Sequence, residues 1–106
     1  MRLSASHLSD IVADGMLLKL APGGDIAALV RDAAGESRVV LIPADLDALN
    51  MAQARAAIGP LAIELAPAVR VNAVVPAKGA RQADVDAAVA FLEQARSTTG
   101  QLFVVR

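Results

Sequence analysis

Two short apolar runs, Arg38-Val39-Val40-Leu41-Ile42 and Val69 to Val75, restrict what this chain can fold into more than any other feature. Continuous β-branched and aliphatic stretches of this length are typical of strands covered on both faces, as in parallel sheets. Between them, from Asp45 or Asp47 onward, Ile58, Leu61 and Leu65 recur at helical spacing, although Gly59-Pro60 predicts a kink or restart. Pro76-Ala77-Lys78-Gly79 then reads as a turn. The clearest amphipathic pattern follows it, with Val85, Ala88, Val89, Leu92 and Ala95 opposite Asp84, Asp86, Glu93 and Arg96. Gly100 separates this helix from a last strand, Leu102 to Val105.

Towards the N-terminus, Ser4 or Ser6 offers a cap for a first helix carrying Leu8, Ile11, Val12 and Leu18, with Gly15 as its weak point. Pro22-Gly23-Gly24 breaks the chain. Asp25 caps a short second helix with Ile26, Leu29 and Val30 on one face, and Gly35 stands as its stop. Strands alternating with helices predict βαβ units with right-handed crossovers. The expected fold is one α/β domain over residues 1–106: a small three-stranded parallel, Rossmann-like sheet flanked by helices in the order α-α-β-α-β-α-β.

Charge and composition remove several classes of function. A formal charge of −1, with two Phe and no Trp or Tyr, supplies neither a basic field nor a stacking platform, so no nucleic-acid partner is expected. No cysteine is present for a disulfide or thiolate site. No apolar run approaches the roughly 20 residues of a membrane span, and Asp10 interrupts any signal-peptide core, so a cytoplasmic protein is expected. Twenty-four alanines favour helix but bury little area each, which predicts a thin core.

The stretch Glu64-Leu65-Ala66-Pro67-Ala68-Val69-Arg70-Val71-Asn72-Ala73-Val74-Val75-Pro76 resembles short-chain dehydrogenases/reductases where their long helix ("ELAP") leads into the next strand ("RVNAV-P"). Ala83 to Leu92 and Thr99 to Val105 resemble that family's last helix and strand. The resemblance runs from about Arg38 to Val105, more weakly from Gly15 to Gly35, and represents only the family's C-terminal half, implying a truncated Rossmann-like domain. Family members hold NAD(P) on a Gly-x-x-x-Gly-x-Gly turn and react through a Tyr-x-x-x-Lys pair. No such glycine spacing occurs here, and the paired positions fall on Asp47 and Met51. Aspartate has the wrong pKa for the tyrosine's proton exchange, and methionine carries no charge. The serine loop has shrunk to Pro43-Ala44, and the catalytic asparagine would fall near Val12.

No catalytic residue and no metal ligand set is therefore assigned. The resemblance leaves Pro76, Ala77 and Lys78 as vestigial cofactor-binding positions. Asp45 and Asp47 read as helix cap and dipole complement, Lys78 and Arg81 as solvated loop cations, His7 as an exposed helix residue, and Ser97-Thr98-Thr99 as a helix exit. Asn72 is expected to bond backbone or a neighbouring loop. A bare apolar edge at Val39–Ile42 would favour association. The expected function is that of a non-catalytic relative working as a homodimer, or as partner of a related full-length chain, without a cofactor. The alternative is a small NAD(P)-binding oxidoreductase whose site is assembled across subunits.

Overall fold

Alternating burial first appears at Leu17 to Leu20, where Leu18 and Leu20 turn inward while Leu17 and Lys19 face out. The computed structural model describes residues 15–106, and strand β1, Gly15–Lys19, opens it. Helix α1 spans Ile26–Arg31, strand β2 Ser37–Leu41, helix α2 Ala48–Leu65, strand β3 Arg70–Pro76, helix α3 Gln82–Gln94 and strand β4 Leu102–Val105. The four strands are parallel and lie in sequence order, β1-β2-β3-β4.

Two expectations change here. Gly15 and Leu18 belong to a strand, not a helix, because Gly15 to Lys19 pair with Ser37 to Leu41 and the tertiary ladder overrides the local helical spacing. The remaining positions of the expected first helix, Leu8, Ile11 and Val12, lie outside the described residues, as does His7. Among the described residues the sheet consequently has four strands, and β2 is interior: Val39 and Val40 are fully buried. Among the described residues the edge predicted at Val39–Ile42 lies instead at β1.

Each face of the sheet has its own cluster. On one, α1 and α2 pack Val30, Ala54, Ile58 and Leu61 against Val40, Ile42, Val71 and Ala73. On the other, Val85, Val89 and Leu92 of α3 meet Val39 and Val74. Because the strands advance in one direction while α3 changes face, the last crossover has the opposite hand to the first two. The three crossovers therefore do not all share the right hand expected from the sequence.

Helix boundaries follow local chemistry. The Asp25 carboxylate accepts from the Ala28 amide at 3.2 Å and starts α1. Rather than running to Gly35, α1 stops at Arg31, and the buried Arg38 guanidinium donates to the Val30 carbonyl at 2.9 Å and the Gly35 carbonyl at 3.2 Å. Helix α2 continues through Pro60 without the expected restart. Ile58, Leu61 and Ala62 are buried on both sides of the proline and hold the two halves on the sheet.

Arg31 and Glu64 tie α1 to α2 through two exposed contacts of 2.7 Å. The hydrogen bond from Arg31 and its positive charge lower the Glu64 pKa below the ordinary glutamate value. A depressed folded-state pKa contributes stability above the unfolded pKa and loses it as pH falls through the folded one. Glu64→Gln should therefore lower the thermal midpoint slightly at neutral pH and leave it unchanged once both forms are protonated. Equal shifts in neutral and strongly acidic buffer would show that the pair contributes nothing through its charge.

Candidate functional site

In open α/β sheets the ligand crevice lies beyond the carboxyl ends of the strands, here Lys19, Leu41, Pro76 and Val105. A cavity of about 240 Å³ opens there between the β1–α1 turn and the start of α2, lined by Leu20, Gly23, Gly24, Leu46, Asn50 and Gln53 among others. Asp47 stands at the α2 N-terminus with its carboxylate already used. It accepts from the Asn50 amide at 2.8 Å and from Asn50 Nδ2 at 2.9 Å, which confirms the capping role read from the sequence. Asp45 is exposed in the preceding loop, and Met51 packs against the core instead of lining a reaction site.

At the end of β3, Pro76 and Ala77 are half-buried and Lys78 is exposed. The Ala77 amide donates to the Val105 carbonyl at 2.7 Å, and the Ala80 amide to the Ala77 carbonyl at 2.9 Å. Gly79, at φ +86°, is the third residue of this turn, where a side chain would strain the backbone. Arg81 pairs with Asp84 at 3.4 Å on the surface. A pyrophosphate needs free amides at a helix start; Asp25 occupies that place on α1 and Ala77 spends its amide internally, whereas the start of α3, behind Arg81, carries no side-chain cap. Among the described residues no group of three His, Asp or Glu side chains is placed to hold a metal ion.

Asn72 is fully buried and bonds as expected: its Nδ2 donates to the Thr98 carbonyl, and its Oδ1 accepts from the Gln101 amide, both at 3.0 Å. The Ser97 to Thr99 stretch is the exit from α3. Thr99 does more than the sequence suggested, since its hydroxyl accepts from the Val71 amide at 3.0 Å. A link between residues 28 apart in the chain has no local signal.

A parallel sheet with helices on both faces, and its strand ends as the open margin, defines a Rossmann-like α/β domain. Residues 23–105 match the model of the SDR-like family, described as short chain dehydrogenase-like protein, and the chain belongs to that family. No curated protein and no solved structure matches it. No helix of the described residues is long and apolar enough to cross a membrane.

Proposed function

We propose that this chain is a non-catalytic member of its family that works by associating with a second copy of itself through α2. The outer face of α2 is the observation that carries this reading. Leu49 is 67% exposed and Ile63 80%, and between them stand Ala52, Ala56 and Pro60, all exposed. Arg55 and Glu64 are the only charged residues on this 18-residue helix. A helix that is apolar all round is ordinarily buried on all sides.

The pattern also suits self-pairing. Leu49 and Ile63 lie equally far on either side of Ala56, as do Ala52 and Pro60. Two antiparallel copies crossing at Ala56 bring Leu49 of one opposite Ile63 of the other, and the small residues between allow close approach. That is the self-complementarity a two-fold contact requires. The crevice supports the non-catalytic half of the reading: aspartate and methionine stand where a tyrosine and lysine would act, and Asp47 is committed to its cap.

Light scattering should give a mass twice the chain's 10.9 kDa. Ile63→Glu should give the single-chain mass with an unchanged circular dichroism spectrum, because a residue this exposed contributes little to the isolated fold. A wild-type protein that stays single at high concentration sinks the association reading. Saturable quenching or enhancement of NADH or NADPH fluorescence would instead favour an oxidoreductase with a shared site, and would reopen Pro76, Ala77 and Lys78 as cofactor contacts.

A further inference from the structure

Among the described residues, β1 is an edge of the sheet with one neighbour, β2. The Leu20 amide donates to the Leu41 carbonyl, and along a parallel ladder alternate residues turn their backbone groups to the same neighbour. Leu18 therefore bonds β2 as Leu20 does, while the amides and carbonyls of Leu17 and Lys19 point away from it. Beside this edge, between β1 and α1, runs a groove of about 510 Å³ walled by Leu18, Leu20, Ala28 and Leu29. Lys19 touches it along the strand, but its side chain leaves the opposite face from those of Leu18 and Leu20. That opposite face is open as well: α3 covers Val39 and Val74 and leaves Leu17 37% exposed.

A row of outward donors and acceptors next to an apolar groove is what an added strand requires. Its main chain takes the hydrogen bonds, and every second side chain enters the groove. Charge selects which strand. Asp25 and Asp32 cap the two ends of α1 and both stand on the groove. Arg31, the cation next to Asp32 in the chain, is committed to Glu64, and Asp25 spends only Oδ1 on its cap. Seven residues of helix set the two carboxylates roughly 10 Å apart, and the first and fifth residues of a strand stand roughly 13 Å apart on one face. Long cationic side chains at those two strand positions reach both carboxylates, with an apolar side chain between them over Ala28 and Leu29.

We propose that β1 takes up an extended segment of another protein as a further strand, the segment reading basic-x-apolar-x-basic, its apolar residue in the groove and its cations on Asp25 and Asp32. The outer face of α2 is not involved, so the inference stands whether or not the chain pairs with itself.

The nitrogen-15-labelled full chain, titrated with the peptide acetyl-Lys-Thr-Ile-Thr-Lys-amide, tests this. The Leu17 and Lys19 amide signals should shift saturably and gain protection from hydrogen exchange. The peptide with Glu in place of both Lys, and the one with Ala in place of Ile, should each bind several-fold more weakly. Asp32→Asn should weaken the basic peptide by about threefold, the effect of one exposed ion pair, and leave the acidic one no weaker. Leu17→Pro removes an outward N–H without touching the β2 ladder, and should abolish binding at an unchanged circular dichroism spectrum. If that variant fails to fold, Asp32→Asn and the peptide series still decide. Leu17 and Lys19 amides already protected without peptide would mean that residues 1–14 or a second copy holds the edge, which overturns the proposal, as does a titration in which no peptide moves them. Equal binding of the basic and acidic peptides overturns the charge assignment.

Discussion

Asn72→Leu should lower the folding free energy by about 3 kcal/mol, which is a large share of the stability of a domain this size. The leucine is similar in bulk but cannot replace either bond. It strands the Gln101 amide and the Thr98 carbonyl beside a fully buried position. These are two of a row of contacts that close the segment from Thr98 to Gln101 onto β3. The Gly100 amide donates to the Val71 carbonyl at 2.7 Å, the Ala73 amide to the Gln101 carbonyl at 2.9 Å, and the Val71 amide to Thr99 Oγ1. Register between β3 and β4 depends on that row, since β4 has only four residues and one partner strand. Equilibrium urea unfolding measures the change as a lower midpoint at similar slope. A loss under about 1 kcal/mol would mean that the backbone bonds alone hold β4 in place.

What could be read from the sequence was what is local. Asp25 and Asp47 declare themselves as caps because the amide each one binds lies three residues ahead. The apolar runs of β2 and β3 are short, continuous and bounded by turn residues, so their strand character survives without neighbours. Strand β1 has no such independence. The Leu17-Leu18 doublet fits a helical stripe as well as a strand, and only pairing with Ser37 to Leu41 decides between them. The same applies to the amino ends of β2 and β3. Ser37 and Arg70 are far apart in sequence and become neighbours only through the β2–β3 register. The positions to inspect at the crevice, Asp47 and Met51, were legible because the family resemblance fixes where to look. The change of hand at the last crossover was not, because it depends on which face α3 chooses.

That choice of face rests on three side chains, and Leu92→Ala tests it. Leu92 is fully buried, whereas Val85 is 5% and Val89 8% exposed. Among the described residues, α3 is the only helix packed on its face of the sheet, against Val39 and Val74, with Leu41, Phe103 and Val105 around them. Removing the leucine leaves a cavity no second helix can move in to fill, so the cost should reach about 3–4 kcal/mol, in the upper part of the range for such truncations. For a domain of this length that lowers the melting temperature by roughly 15 °C or more. Val89→Ala deletes less volume from a position nearer solvent and should cost clearly less. The damage should also be local at first. Strand β4 is an edge strand whose Phe103 stacks on Phe91 of α3 with ring centroids 5.8 Å apart, so loosening α3 removes cover from β4 before it reaches β2. Native-state hydrogen exchange in Leu92→Ala should show the β4 amides losing protection ahead of those of β2 and β3. Uniform loss across all four strands would show that the two faces of the sheet unfold as one unit, and that α3 is no weaker an attachment than α2.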